Sequence, residues 1–305
     1  MKEKSVLVIG DINIDFTLFA KDYPVEGGEA NTEGADFRLG GSACITAMSL
    51  QILGMPTSLA GSVGADLFAD FALGQIQASG LDTSLVQCVP EGQTGFFMIL
   101  ITSGGQRTMF GNRGANNAVP DAGRILERLG EFRHLHLSGY SLMGDAQWET
   151  IRHIVLMCSN QGLTTSLDPG VCSAQQARER ILELLPQMDV FLPSRTEMLS
   201  LFPGLKPDEA IRKALDLGCR STVLKMGKEG SRYVDSILDV LAPAEVLDRP
   251  VVNTTGAGDS FNAGFLAGWL GGKDPAECLR MGSQAAARII TTRNGIIELL
   301  NKRTD

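Results

Sequence analysis

The chain has 305 residues, of which 44% are hydrophobic and 20% charged, so it holds enough apolar material for a folded core. Its 27 Lys and Arg against 35 Asp and Glu give a formal net charge of -8, and this acidic balance disfavours nucleic acid as the main partner. The longest apolar runs fall far short of the roughly 18 residues that a membrane-spanning helix needs. The sequence therefore predicts no membrane partner and a cytoplasmic location, and its six widely spaced cysteines indicate reduced thiols.

Short apolar runs alternate with helical patterns along most of the chain. Runs typical of strands buried on both faces lie at 5–9, 133–138, 163–167, 188–192 and 221–226. Helix-compatible spacing covers 42–53, 66–79, 121–130, 145–160, 174–185, 206–217, 259–271 and 274–291. This alternation predicts a single α/β domain over 1–305 with a mostly parallel sheet and helices on both faces. In such folds, ligands bind at the carboxyl ends of the strands.

Two stretches, residues 12–39 and residues 93–112, break the alternation. Each contains two extended segments around a glycine turn, a pattern typical of β-hairpins. Neither hairpin is long enough to fold alone, so we predict that they pair into one small sheet that projects over the strand ends as a lid. An apolar face on a projecting sheet also suits a homodimer contact, although a closing lid needs the same face.

The segment from Thr254 to Asp259 carries the strongest chemical signal. Its glycines let successive backbone N–H groups converge, and the helix that follows adds unpaired donors and the positive end of its dipole. Gly256, Ala257 and Gly258 therefore form a candidate anion hole. Asp259 beside them fits a base that accepts a proton from an attacking hydroxyl, although an ordinary turn followed by a first-turn acid explains the same residues.

Two other phosphate-binding motifs do not fit. Neither Gly227-Lys228 nor Gly272-Lys273 has the upstream glycine and following hydroxyl of a Walker motif, and Gly10 does not open a G-x-G-x-x-G pattern. The sequence thus disfavours a Walker-type NTPase and a dinucleotide-dependent dehydrogenase.

Several further motifs stand in a defined order along the chain. They are Gly10-Asp11-Ile12-Asn13-Ile14-Asp15, Gly40-Gly41, Gly114-Ala115-Asn116, Pro193-Ser194-Arg195-Thr196-Glu197, Gly227 with Gly230, and Asn253-Thr254-Thr255-Gly256-Ala257-Gly258-Asp259. In these motifs the whole chain resembles the ribokinase family (PfkB-type) of carbohydrate kinases. The resemblance implies a ribokinase-like three-layer α/β/α core with a small β-sheet lid. It also implies transfer of a phosphate from MgATP to a hydroxymethyl group of a small sugar.

The resemblance assigns expected roles to the matching residues. Asp259 is the expected general base, with Gly256, Ala257 and Gly258 as the anion hole. Asn13 and Asp15, two apart on a predicted strand and so on one face, are expected at the sugar together with Gly40, Gly41 and Ile45. Ser194, Lys225, Gly227 and Gly230 are expected at the nucleotide, and Glu197 at Mg²⁺. Arg113 is a further candidate. Its guanidinium group is expected to reach an anionic group of the substrate or the transferring phosphate, unless it only faces water.

Three positions depart from the family's pattern. Ile45 stands where members that bind ribose-like sugars commonly carry Asn, which puts ribose itself in doubt. Ser194 replaces the Asn of the metal motif, so the exact Mg²⁺ shell is in doubt. Asn253 replaces the Asp of a monovalent-cation site whose other part matches Thr292-Arg293-Asn294-Gly295, so activation by K⁺ is left open.

Two alternatives to a sugar kinase stay open. One is a nucleoside kinase of the same family, because a nucleoside carries the same ribose hydroxyls as a free sugar. The side chains of Ile45, Phe97 and Phe110 would suit its base. A catalytically idle nucleotide-binding regulatory protein is the alternative from another class, which the Gly-Ala-Gly-Asp segment argues against.

Overall fold

Strands and helices alternate along the computed structural model, which describes residues 4–104, 106–292 and 295–301. The strands are β1 (Ser5–Ile9), β2 (Asn13–Ala20), β3 (Gly34–Gly40), β4 (Thr57–Gly64), β5 (Asp82–Val89), β6 (Gly95–Thr102), β7 (Arg107–Asn112), β8 (Phe132–Ser138), β9 (Thr164–Asp168), β10 (Val190–Phe191), β11 (Ser221–Lys225), β12 (Ser231–Asp235) and β13 (Asp239–Ala242). The α-helices are α1 (Ser42–Ile52), α2 (Leu67–Ala78), α3 (Ala122–Glu127), α4 (Asp145–Asn160), α5 (Val171–Gln176), α6 (Arg178–Leu184), α7 (Arg195–Leu201), α8 (Pro207–Asp216), α9 (Ala257–Leu270), α10 (Pro275–Ile290) and α11 (Ile296–Asn301).

A large, mostly parallel sheet forms the centre of the molecule, with strand order β13-β12-β11-β10-β9-β8-β1-β4-β5. Only β12 and β13 at one edge pair antiparallel. Side chains of β1 alternate between two apolar clusters, with Leu7 and Ile9 packed among α3 to α8 and with Val6 and Val8 packed among α1, α2, α9 and α10. The three-layer α/β/α core is therefore confirmed.

The five predicted strands are present, but four strands of the large sheet have no counterpart among the predictions. Strand β4 reads TSLAGSVG, whose small and polar residues hide its burial from a hydrophobicity pattern. Strands β5, β12 and β13 lie at or near sheet edges, where side chains are partly exposed. Their place in the sheet comes from pairing with β4 and β11, a long-range effect that local sequence does not encode.

The single helix predicted over 174–185 is wrong. The chain forms α5 and α6 instead, because Ala177 between them has φ -121° and ψ 28°, outside the helical range. The other seven predicted helices are present, with ends shifted by a few residues. No helix within the described ranges is long and apolar enough to cross a membrane.

A second, four-stranded sheet is built from the two predicted hairpins, with order β3-β2-β6-β7. Each hairpin pairs antiparallel, and β2 joins β6 in parallel with Asp15 opposite Phe97. On the face of this sheet that carries neither Asp15 nor Arg38, called its outer face, Phe37 packs against α2. Its ring centroid lies 6.0 Å from that of Phe68 and 4.6 Å from that of Phe71. This aromatic contact fastens the small sheet to the main body.

Helices α9 and α10 pack closely because small residues face the contact. A Cβ added at Gly264 would lie 2.4 Å from the carbonyl oxygen of Met281, and one at Gly268 would lie 2.9 Å from the Met281 sulfur. This contact holds α9, whose first turn faces the carboxyl ends of the strands.

We expect Gly264→Ala to lower the free energy of unfolding by about 1–3 kcal/mol, because a backbone carbonyl cannot yield to the added methyl group. The matched control is Gly74→Ala in α2, where a Cβ would meet nothing within 4 Å. There the better helix propensity of Ala is expected to leave stability equal or raise it by up to about 1 kcal/mol. Urea unfolding of both variants measures the difference, and equal stabilities would contradict the packing analysis.

Candidate active site

A cavity of about 460 Å³ lies at the carboxyl ends of the central strands. Asp11, Tyr140, Asp168, Ser194 and Lys225 line it, and each ends or closely follows one of the neighbouring strands β1, β8, β9, β10 and β11. The small sheet forms the opposite wall. Because the carboxyl ends of parallel strands meet at one edge, side chains far apart in sequence converge here.

The first turn of α9 forms one end of the cavity. Gly256 starts the turn with φ +79°, a left-handed conformation that favours glycine. The Ala257 N–H donates to the Thr254 carbonyl at 3.3 Å. The N–H groups of Gly258 and Asp259 belong to the first helical turn, where they have no acceptor within the helix, so they are available to an anion in the cavity.

Asp259 lies beside this turn and is half-buried. The Ser42 hydroxyl of α1 donates to its Oδ1 at 2.6 Å. Burial raises the pKa of Asp259 to about 7; the negative charge of Asp168 adds to the rise, and the Ser42 hydrogen bond and Lys225 oppose it. This carboxyl group therefore titrates near neutral pH, where it can accept a proton.

Lys225 is held beside the first turn of α9 by two buried partners. Its Nζ donates to Asp168 Oδ2 at 2.7 Å and to Asn262 Oδ1 at 3.1 Å, and Asn262 also donates to Asp168. Burial opposes the charge on Lys225, but Asp168 raises its pKa above the ordinary value. A Cβ at Gly258 would lie 3.5 Å from Nζ, so the ammonium group lies close to the first turn of α9.

Asp168 and Asn262 are absent from the residues singled out by sequence. Asp168-Pro169-Gly170 directly follows the predicted strand 163–167, so its position at the carboxyl edge was a usable signal. Asn262 stands four residues after Gly258 and therefore on the same face of the predicted helix, which was also a usable signal.

Ser194 and Glu197 form a capping box at the start of α7. Glu197 Oε2 accepts from the Ser194 N–H at 2.6 Å, and Ser194 Oγ accepts from the Glu197 N–H at 3.3 Å. Glu197 is buried and lines the cavity, and burial followed by the charge of Asp168 raises its pKa.

A single buried acid of this kind fits Mg²⁺, which often takes one or two protein carboxylates and fills its shell with phosphate oxygens and water. In the ranges that the structure describes, no group of three or more His, Cys, Asp or Glu could hold a metal without such help.

Asn116 fixes the position of Asn13 on the opposite wall. Its Nδ2 donates to the Ile12 carbonyl at 3.0 Å and to Asn13 Oδ1 at 2.7 Å, while its Oδ1 accepts from the Ile12 N–H at 3.0 Å. Asn13 Oδ1 is thereby occupied as an acceptor, which leaves the Nδ2 of the same side chain as a donor toward the cavity.

Asp15 is buried beside Asn13, and none of the described residues donates a hydrogen bond to its carboxylate. Burial raises its pKa to about 6, against the opposing charges of Arg107 and Arg38. Gly40 makes room for it, since a Cβ there would lie 2.5 Å from the carboxylate. Gly41 has φ +97°, and its Cβ would lie 2.3 Å from the Asp11 carbonyl oxygen. Any larger residue at position 40 or 41 would therefore collide with the Asp15 carboxylate or the Asp11 backbone.

Two of the residues singled out by sequence lie outside the described wall of the cavity. Arg113 donates to both carboxylate oxygens of Asp11, at 2.7 and 3.1 Å, and to Asn117, so its charge is already paired. Gly230, with φ +96°, shapes the turn between β11 and β12, where a Cβ would lie 2.1 Å from the Ala242 carbonyl oxygen. Gly227 and Ile45 do line the cavity.

The candidate monovalent-cation segment is described only in part, because Arg293 and Asn294 lie outside the described residues. Asn253 Oδ1 accepts from the Thr255 N–H at 2.8 Å. Activation by K⁺ stays a prediction.

Comparison with known proteins identifies the family. The model of the pfkB family carbohydrate kinases matches residues 3–302. The chain is 29% identical over 309 residues to an ATP-dependent ribose-1-phosphate kinase of Halopiger xanaduensis, covering 98% of this chain and 99% of that protein. It is 30% identical over 244 residues to an uncharacterized sugar kinase of Archaeoglobus fulgidus, covering 80% of this chain and 94% of that protein. A structure of Arabidopsis thaliana ribokinase complexed with ribose and ATP has the same fold, with a TM-score of 0.85 at 23% identity over 99% of this chain and 98% of that one. The match along nearly its whole length shows that this chain belongs to the pfkB family of carbohydrate kinases.

Proposed function

We propose that this protein transfers the γ-phosphate of ATP to a hydroxymethyl group of a small sugar, with Asp259 as the general base. The observation that carries the proposal is the position of Asp259. Its carboxyl group titrates near neutral pH and adjoins the free amides of the first α9 turn. In-line phosphoryl transfer needs such alignment and charge stabilisation more than covalent help.

Each wall of the cavity has a separate task in this mechanism. Asn13 Nδ2 and the Asp15 carboxylate bind hydroxyls of the sugar and orient its hydroxymethyl group toward Asp259. Asp259 accepts the hydroxyl proton as the new P–O bond forms, while the bond between the γ-phosphorus and the bridging oxygen breaks and ADP leaves. The amides of Gly258 and Asp259, with the Lys225 ammonium group, stabilise negative charge on the transferring phosphate. Glu197 would hold Mg²⁺ together with phosphate oxygens, and the bound ion would further neutralise that charge.

The small sheet acts as the lid of this site. Its inner face contributes Asn13 and Asp15, and a closed lid excludes water that would otherwise hydrolyse ATP. Its outer face exposes Met98 and Phe110, at 43% and 56% of their surface, so a homodimer through the lid is also proposed. Light scattering in solution measures that state.

The acceptor is a small sugar or sugar derivative. The Halopiger relative is named for ribose 1-phosphate, which keeps phosphorylated sugars among the candidates. A nucleoside acceptor has weaker support, since Ile45 and Phe97 line the cavity whereas Phe110 lies on the outer face.

Replacement of Asp259 by Asn tests the base. We expect Asp259→Asn to lower kcat at least ~100-fold and to leave the KM for ATP within a few-fold, because the carboxylate acts mainly in the transition state. The control is Asp70→Asn, which removes an exposed acid from the first turn of α2. Near-normal turnover of Asp259→Asn in an ADP-release assay would remove Asp259 from the mechanism.

The pH dependence tests the same group independently. Because only the deprotonated carboxylate accepts a proton and its pKa is about 7, kcat/KM is expected to fall as the pH drops below about 7. The Ser42 hydrogen bond lowers that pKa, so Ser42→Ala is expected to shift the acidic limb to higher pH. Ser49→Ala, which removes a hydroxyl that pairs with Ser260 in the same helix contact, is expected to leave the limb in place. Activity independent of pH from 5.5 to 8 would contradict this assignment.

Ile45 tests the choice of sugar. Its apolar side chain lines the cavity and cannot replace an amide contact to a ribose hydroxyl; one missing hydrogen bond costs about 1–3 kcal/mol, or roughly ten- to a hundredfold in kcat/KM. We therefore expect ribose to be a poor acceptor and Ile45→Asn to improve its use. Ile45→Leu is the control, with an unchanged ratio of ribose to the best acceptor. If Ile45→Asn also leaves that ratio unchanged, residue 45 does not set specificity.

A further inference from the structure

Two arginines of the small sheet face the sugar side of the cavity and have no part in the mechanism above. Arg38 stands on β3 opposite Asp15, and Arg107 stands on β7 opposite Ile101. Strands β3 and β7 are the two edges of this sheet, so the arginines approach the cavity from opposite edges and flank Asp15.

Both arginines reach the same part of the main body. Arg107 Nη1 lies 3.4 Å from Thr255 Oγ1, just before the anion-binding turn. Arg38 lies beside Gly295, where an added Cβ would be 3.9 Å from its Nη1. The segment that leads to Thr255 and the segment that leads to Gly295 are neighbours in space, because the Val252 N–H donates to the Ile290 carbonyl at 2.8 Å. The guanidinium groups thus converge on one end of the cavity.

The charge of Arg107 is unused, in contrast to the other cations nearby. Lys225 is paired with Asp168, and Arg113 is paired with Asp11. Arg38 forms an ion pair with Asp36 at its own strand. Among the described residues, the Arg107 side chain makes only a long contact to the Thr255 hydroxyl, and no carboxylate forms an ion pair with it.

Asp15 does not consume the two guanidinium groups. Its carboxylate is close enough to feel both charges, yet it forms an ion pair with neither within the described part of the chain. Asp15 is therefore left for sugar hydroxyls, while the planar donor groups of the arginines suit phosphate or carboxylate oxygens.

We propose that the acceptor is an anionic sugar, which carries a phosphate or carboxylate group that Arg38 and Arg107 bind on the lid side of the cavity. This inference rests on the proposed kinase function and narrows its substrate class. It assigns to these lid arginines the role that the sequence had suggested for Arg113.

Three matched pairs of acceptors test the charge. They are fructose 6-phosphate against fructose, ribose 1-phosphate against ribose, and gluconate against glucitol, measured by ADP release at saturating MgATP. We expect at least one anionic member to exceed its neutral partner at least tenfold in kcat/KM. The first two pairs report a phosphate and the third a carboxylate, so the pattern separates the two sources. A neutral preference in all three pairs would overturn the inference and leave the kinase function standing.

Variants test the residues. Arg107→Gln and Arg38→Gln are each expected to raise the KM for the preferred anionic acceptor at least tenfold, with the KM for ATP and the kinetics on the neutral partner within threefold. Arg152→Gln, which removes an exposed arginine paired with Glu183, is the matched control and is expected to change neither. Equal losses on anionic and neutral acceptors would instead place Arg107 at the transferring phosphate and contradict the proposal.

Calorimetry separates this inference from the proposed function. If no acceptor yields ADP, the proposed kinase function fails. Binding alone then decides whether the cavity prefers anionic sugars to neutral ones. At least one anionic sugar of the three pairs is expected to bind the wild type at least tenfold more tightly than its neutral partner does, and Arg107→Gln is expected to abolish that difference. Equal binding within all three pairs would overturn the inference.

Discussion

Burial of several carboxylates around one cavity is the constraint on which the rest of this structure depends. Within the described residues, Asp11, Asp15, Asp168, Glu197 and Asp259 all line the same space. A buried carboxylate is costly unless it is paired or hydrogen-bonded, or becomes protonated. Three of them have partners from the fold itself: Asp11 has Arg113, Asp168 has Lys225, and Glu197 has the amide at the start of α7.

The other two carboxylates have no cation in an ion pair with them among the described residues. Asp15 faces the lid side, and Asp259 has one hydroxyl donor, Ser42. Burial raises the pKa of both, to about 6 and about 7. Groups in this state are suited to a partner that arrives with the substrate, which is the physical reason for assigning sugar binding to Asp15 and proton transfer to Asp259.

Backbone proximity holds these groups in place. Gly40 and Gly41 let β3 and α1 approach Asp15 and the loop after β1, and α1 in turn reaches α9 through the Ser42 hydroxyl. Gly264 brings α10 against the far side of α9. The cavity wall that holds Asp15 and the first turn of α9 are thus joined through α1 and α9. A small shift in either helix would change the alignment that the proposed phosphoryl transfer requires.

The sequence by itself determined the layered α/β core, both hairpins and the glycine turn at the start of α9, because each depends on local periodicity or on glycine at a defined spacing. It did not reveal β4, whose small residues carry no strong pattern, or the break at Ala177 between α5 and α6. Only the tertiary structure decided how charges are paired. Arg113 looked available by its position after the second hairpin, yet it is taken by Asp11, 102 residues away in sequence. Arg107 was not singled out from the sequence, yet it reaches the cavity because strand pairing in the small sheet brings it beside residues that are distant in the chain, a contact that spacing along the chain does not encode.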